Sequence, residues 1–379
     1  MNIEKELIFV NKKTVPRRAK RKSVRLLILA CVTATTLLPA SVLADTAREA
    51  VGRPLQRAEA LIQAGNYHAA LAQLQKASDV GSLTPFERVA IAQLHGTAEA
   101  GTGNFQQAAA DYQTVLAAGS QPPAAQMAFT QAIAGFYFQA GDFPQTVTWV
   151  NRYIADGGHD ARTQALLPQA YFQEGDYAAA EHAVQRAQHN GAALPQAELQ
   201  LLAYSAQKIG DQPGYLSALT ALLQSYPSPS TWNAAITTVA GAPDFPDALT
   251  LDVYRLRRAT HTLTAAGDYE DYTERAILAG QPLEARAVID EGFTNGILNS
   301  STDNGHAARL KALADSNSPP AAAPGPADPL QPAIAQYQAG QAAAAATSFT
   351  HLANTPDNSA ETALALLWAI CAQNATRSS

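Results

Sequence analysis

A short phrase recurs along the chain and limits what it can fold into: a glycine, then Asn or Asp, then an aromatic residue and alanines. It stands at Gly65-Asn66-Tyr67, Gly103-Asn104-Phe105, Gly141-Asp142-Phe143 and Gly175-Asp176-Tyr177, with a shortened copy at Gly210-Asp211. These glycines lie 38, 38, 34 and 35 residues apart. Later turns are expected at Gly280 and Gly340, and a degraded copy near Pro243-Asp244-Phe245-Pro246. A period of this size means stacked supersecondary units rather than one globular core.

The phrase reads as a tight helix-to-helix turn. Glycine ends a helix in the left-handed conformation without a Cβ penalty. The Asn or Asp after it is expected to cap the next helix, and the aromatic to fold back on the preceding one. Ala70, Ala108 and Ala180, five residues past their glycines, let two helices approach closely. Pro85, Pro122 and Pro227 open later helices, where proline is tolerated. Leu71, Leu74 and Ala77, and then Ile133, Phe136 and Tyr137, repeat at helical spacing. Alternating β-branched runs bounded by turns do not occur. The expected fold class is all-α.

The units from Ala134-Gly135-Phe136-Tyr137 through Gly141-Asp142-Phe143, and from Ala170-Tyr171-Phe172 through Gly175-Asp176-Tyr177, resemble tetratricopeptide (TPR) repeats, whose consensus is a 34-residue helix–turn–helix. The resemblance covers residues 50 to 293 and 330 to 353. It implies a right-handed α-solenoid whose first helices line a groove, and a non-enzymatic scaffold for protein–protein interactions. More loosely, Asp252-Val253-Tyr254-Arg255-Leu256 and Leu367-Trp368-Ala369-Ile370 resemble segments of exported bacterial repeat proteins. Three positions depart from the pattern. Pro168 must kink or delay its helix, Thr146 replaces a packing alanine, and Tyr215 stands where a small residue is expected.

The start of the chain differs in kind. Lys12, Lys13, Arg17, Arg18, Lys20, Arg21, Lys22 and Arg25 precede a charge-free stretch that ends in Val42-Leu43-Ala44. This is the pattern of a secretory signal peptide cut between Ala44 and Asp45. An uncleaved anchor, or lipidation at Cys31 after Ile28-Leu29-Ala30, are the alternatives. The expected organisation is a signal peptide at 1–44, a solenoid of about seven hairpins at 45–313, a Pro/Ala-rich linker at 314–329, and a C-terminal hairpin with a capping helix at 330–379. Beyond residue 44 the chain has 17 basic and 30 acidic residues, a net charge of −13. Such a surface repels nucleic acid and anionic membranes. The expected location is the periplasm or outside the cell. The membrane is touched only through an uncleaved leader, if at all. The one cysteine beyond the leader, Cys371, reads as a buried, inert thiol.

No motif for chemistry emerges. Gly96 to Gly101 has the outer spacing of a phosphate-binding loop, but Thr102 stands where lysine is required. His182 and His189 lie too far apart to share a metal. Asp268, Glu270, Asp271 and Glu274 read as carboxylates stabilised at a helix start. Trp149, Trp232 and Trp368 read as packing residues. No cofactor, no metal and no enzymatic activity are expected.

The remaining candidate is the groove. Counting back from the turn glycines, its expected lining is Gln93, Gln131, Arg162, Gln169, Gln173, Gln200, Tyr204 and Lys208. Amides both donate and accept hydrogen bonds, so this strip suits an extended peptide or helix of another envelope protein. It suits a neutral polysaccharide as the alternative. It lacks the several cations that would grip a peptide carboxylate.

Overall fold

A computed structural model describes residues 47–188, 194–299, 305–316, 328–356 and 359–378. The expected leader with Cys31, Ala44 and Asp45, residue His189, and residues 317–327 of the expected linker lie outside them. Every regular element among the described residues is helical, and none is long and apolar enough to cross a membrane. The chain divides between Asp211 and Gln212 into two compact units. That boundary falls inside the expected 45–313 solenoid, and residues 330–379 share a unit with residue 212 onward.

The first unit contains α1 (Glu49–Gln63), α2 (Tyr67–Ser78), α3 (Pro85–Thr102), α4 (Phe105–Ala117) and α5 (Pro123–Ala140). It continues with α6 (Phe143–Ala155), the short α7 (Ala161–Gln164), α8 (Leu166–Glu174), α9 (Tyr177–Gln188) and α10 (Gln196–Ile209). The turn phrase closes each hairpin in the same way. At Gly141, φ is +77°. Its N–H donates to the Phe138 carbonyl at 3.1 Å, and Asp142 N–H reaches back to the Tyr137 carbonyl at 3.0 Å. These two bonds satisfy carbonyls that the helix end would leave free. The same pair recurs at Gly65, Gly103, Gly175, Gly210, Gly280 and Gly340, all at positive φ.

The residue after the glycine behaves less uniformly than expected. Asp142 accepts from Gln145 N–H at 3.2 Å and Asp176 from Ala179 N–H at 3.0 Å. Asn66 and Asn104 make no side-chain cap bond. Either side chain can accept such a bond, and a carboxylate gains an added charge attraction to the positive helix start that a neutral amide lacks. The aromatics also divide. Phe143 and Tyr177 fold back onto Phe138 and Phe172, with ring centroids 5.8 and 5.5 Å apart. Phe105 instead stacks on Phe136 of the next hairpin, at 6.2 Å. Tyr67 reaches forward to α3, where a Cβ on Gly101 would lie 2.4 Å from its ring.

Ala70, Ala108 and Ala180 are fully buried, so helix pairs close over them. Thr146 is buried too, its hydroxyl satisfied by the Asp142 carbonyl at 2.9 Å. Pro168 acts three residues upstream: Ala165 separates α7 from α8. A proline at this point removes the N–H that would bond the Gln164 carbonyl and crowds that carbonyl with its ring. Each interface has its own apolar filling. Val51, Leu55, Leu74, Ile91 and Leu94 join α1, α2 and α3, and Tyr112, Phe129, Ile133 and Phe136 join α4 and α5. Burial between neighbours is the energetic pattern of a solenoid. At the front, Glu87 completes a capping box with Thr84 on α3 and receives the Arg48 guanidinium at 2.9 and 2.8 Å.

The second unit contains α11 (Gln212–Ser225), α12 (Pro229–Ala240), a 3-10 turn (Asp247–Leu249), α13 (Thr250–Ala259) and α14 (Ala266–Leu278). After these come α15 (Pro282–Thr294), α16 (His306–Ser316), α17 (Gln331–Gln338), α18 (Ala342–Ala353) and α19 (Ala360–Ser378). The expected copy near Pro243 has no left-handed glycine; Gly241 sits at φ −87°. Tyr215 takes the small-residue position and is buried. α19 packs on α18 and also against α11, α12 and α13. Its Asn374 Nδ2 donates to the Leu223 carbonyl at 3.0 Å and its Arg377 to the Gln224 carbonyl at 2.8 Å. Those carbonyls belong to the last turn of α11, where a cation is favoured. Trp368 is buried, stacked on Phe349 at 5.3 Å and edge-on to Tyr337 at 5.4 Å, which joins α17, α18 and α19.

Candidate functional site

The expected strip does not survive as one continuous exposed line. Gln93 is buried, because α3 packs against α1, α2 and α4 and is covered nearly all round. Gln131 is half-buried, and its Nε2 donates to Thr163 Oγ1 at 2.8 Å. Thr163 is itself held by Asp160, the cap of α7. Gln131 therefore ties α5 to α7. Arg162 is exposed at the start of the same short helix.

The other five residues gather on α8 and α10. Gln169 and Gln173 are one turn apart on α8, half-buried and exposed respectively. Gln200, Tyr204 and Lys208 follow one another at four-residue steps on α10, which places them along one helix face. The half-buried Tyr204 ring lies 5.2 Å from Phe172 of α8 and 6.1 Å from Tyr177 of α9. Lys208 Nζ sits 4.9 Å from the Tyr204 ring centroid, within range of a cation–π attraction. Three half-buried rings from three helices thus cluster, and Gln169, Gln173 and Gln200 stand on two of those helices. Phe172 and Tyr177 were not in the expected lining, although Tyr177 belongs to the turn phrase and Phe172 lies three residues before its glycine.

Charged clusters elsewhere in the structure link helices. His95 Nδ1 on α3 meets Asp111 Oδ2 on α4 at 2.7 Å, and Glu99 Oε1 lies 3.8 Å from its other nitrogen. The hydrogen bond to Asp111 holds the His95 pKa above its usual 6.5, against the effect of burial. Both ring nitrogens face carboxylates, so the imidazole bridges them. Glu87 is held down to about 2, chiefly by its hydrogen bond from Arg48. Burial raises the pKa of Glu59, Glu181 and Glu198.

In the second unit, Arg255 donates to Glu284 at 2.8 and 2.7 Å and to Asp252 at 2.7 Å, and Tyr272 donates to Glu284 at 2.7 Å. The acidic group at the start of α14 is engaged in pairing. Asp268 accepts from Thr264 and Ala265 N–H, Asp271 accepts from Tyr254, and Glu274 faces His306 at 3.2 Å. Among the described residues, no group of three or more His, Cys, Asp or Glu side chains is arranged to hold a metal ion. Burial pushes the Cys371 thiol up to about 11, so it stays protonated at neutral pH. Trp232 and Trp368 are buried; Trp149 is half-buried against the apolar filling of the first unit.

The class of protein that these hairpins define is an all-α repeat protein built from helix–turn–helix units with a common turn. The chain is similar to several solved structures. One is a tetratricopeptide repeat protein from Parabacteroides merdae, 12% identical over 71% of this chain and 100% of that one, with a TM-score of 0.38. Another is the TPR2AB domain of yeast Sti1 in a complex with pHSP90, 15% identical over 70% of this chain and 98% of that one, with a TM-score of 0.35. A third is the P58(IPK) TPR domain, 15% identical over 86% of this chain and 98% of that one, with a TM-score of 0.30. No protein-family model and no curated protein sequence matches the chain.

Proposed function

We propose that the chain is a non-enzymatic scaffold of the bacterial envelope that holds an extended, uncharged segment of another protein on the face formed by α8 and α10. The observation that carries this reading is the cluster of Phe172, Tyr177 and Tyr204 on helices of which two, α8 and α10, also carry Gln169, Gln173 and Gln200. Rings give apolar area at small entropy cost, and amides match the alternating donors and acceptors of a peptide backbone. The net charge of −13 beyond residue 44 supports a partner that is not nucleic acid. Export rests on the basic run and on Val42-Leu43-Ala44 before Asp45. N-terminal sequencing of the mature protein is expected to start at Asp45. A start at Cys31 or an intact Met1 contradicts export by cleavage there.

The same rings and amides favour a second reading, a neutral polysaccharide laid along the face, because sugar rings stack on aromatics and their hydroxyls pair with amides. One experiment separates the two. A photoreactive amino acid in place of Gln173 is crosslinked in intact cells, with the same residue in place of exposed Gln106 as control. A protein captured at Gln173 and not at Gln106 supports the scaffold, and captured glycan supports the alternative. Equal capture at both positions contradicts a site on this face.

A further inference from the structure

We propose that Asp252 and Asp328 share a single proton and form a latch, released at higher pH, that fastens the start of α17 to α13. Asp252 is 1% exposed. Its Oδ1 accepts from Arg255 at 2.7 Å and from Gln331 Nε2 at 3.0 Å, whereas its buried Oδ2 has no donor. The same Gln331 Nε2 donates to Asp328 Oδ2 at 3.0 Å. One amide nitrogen touching both carboxylates brings them within about 6 Å of each other, the range in which two like charges disfavour joint ionisation. Asp328 is fixed there by Leu330 N–H on its Oδ1 at 2.9 Å. A buried carboxylate oxygen without a donor, facing a second carboxylate, is chemically complete once one of the two acids carries a proton. The protonated acid then donates to the ionised one.

Among the described residues, the surroundings add no second cation. On α13, Tyr254, Arg257 and Arg258 turn to Asp271, Asp268 and Glu291. From α14, Tyr272 donates to Glu284 of α15, which in turn accepts from Nε and Nη2 of Arg255. The 3-10 turn brings Asp247, paired with Arg275, and α12 carries no ionisable side chain. From α19 come Glu361 at its first turn, Cys371 beside Tyr337, and Arg377 on the Gln224 carbonyl. Arg255 thus divides one positive charge between Glu284 and Asp252, leaving the acid pair undercompensated. Burial, and then the bond and charge of Asp328, push Asp252 up to about 7 despite Arg255.

With α17 fastened, Asp252 is pushed up to about 7, by burial first and by Asp328 next; freeing α17 takes Asp328 away, so the Asp252 pKa falls from there towards 3.8. Freeing α17 between these values releases the proton to water, so the fastened form is fully favoured below 3.8 and loses ground as pH rises to 7. Hydrogen–deuterium exchange of the amides of residues 329–338 in the full chain, corrected for intrinsic rates, reads this directly. Between about pH 5.5 and about pH 7.5 the protection is expected to fall roughly tenfold or more. In Asp252→Asn, Nδ2 is a permanent donor to Asp328 and Oδ1 keeps its bonds, so the protection is expected to differ by less than about twofold between the two pH values. Wild-type protection that is equal at both values overturns the latch, as does an Asp252→Asn chain with the full pH dependence.

Discussion

Arg255 and Glu284 face each other fork to fork: Nε meets Oε1 at 2.8 Å and Nη2 meets Oε2 at 2.7 Å. The Arg255 side chain is 5% exposed and that of Glu284 14%. Burial alone would raise the Glu284 pKa, but the Arg255 bonds and charge outweigh it and hold it below its usual value. The pair joins α13 to α15, 29 residues on in sequence. Such a fork is planar and bidentate, which lysine cannot reproduce.

Arg255→Met leaves Glu284 buried without its cation. Breaking one side of a buried ion pair typically costs about 3–5 kcal/mol. The urea midpoint of the full chain is expected to drop accordingly for the transition that carries the second unit. Arg255→Lys is expected to recover only part of the loss. A cost below about 1 kcal/mol for Arg255→Met, the range of an exposed pair, contradicts the buried-fork account.

Two groups of the first unit give opposite pH limbs. Folding raises the His95 pKa above 6.5, so its contribution is complete below 6.5 and is lost as pH rises through the folded value. Folding lowers the Glu87 pKa from 4.5 to about 2, so its contribution is complete above 4.5 and is lost as pH falls towards 2. Denaturant midpoints across pH, compared with His95→Asn and Glu87→Gln, check both. His95→Asn is expected to flatten only the alkaline limb and Glu87→Gln only the acid limb. Parallel curves for wild type and either variant contradict the assignment of that limb.

Glycines of the same helix pair separate by sign. Gly141 needs φ +77°, so Gly141→Ala is expected to destabilise by about 1 kcal/mol. Gly135, in the middle of α5, has open space at its Cβ position and no positive φ. Gly135→Ala is therefore expected to stabilise by about 0.5–1 kcal/mol. Thermal melts of the two variants test this, and a common sign contradicts the turn assignment.

α19 buries Leu364, Leu367, Trp368 and Ile370 and bonds the last carbonyls of α11. Ending the chain at residue 359 is expected to lower far-UV helicity by more than the residues removed, and to open α11 and α12 to protease. The first unit, from α1 to α10, is expected to stay resistant. Loss of helicity equal to the deleted helix alone contradicts this, since it would make α19 dispensable to the second unit.

The turns were readable because glycine at positive φ leaves a mark in sequence that few residues can replace, and Gly65, Gly103, Gly141 and Gly175 carry it plainly. The break before Pro168 was readable for the same kind of reason, a missing N–H. Side-chain partners were not. Nothing in the spacing distinguishes Asn66, which leaves its helix uncapped, from Asp142, which caps its own. Gln93 has the groove spacing in sequence, but α3 has neighbours on too many sides to keep that face free. The bonds of Asp252 to Gln331 and of Arg255 to Glu284 join residues 79 and 29 positions apart. They depend on how one hairpin meets another, which no local pattern encodes.

The binding face on α8 and α10 is tested most directly by affinity. Gln169, Gln173 and Gln200 are changed to alanine together, and binding is measured against the partner captured at Gln173. With about 1 kcal/mol per lost hydrogen bond, the triple variant is expected to bind roughly 2–4 kcal/mol more weakly. Helicity and melting should be nearly unchanged, because alanine is a good helix former. Moderate salt should matter little, because the amides carry no charge. Unchanged affinity in the triple variant, or wild-type binding abolished by moderate salt, contradicts the account.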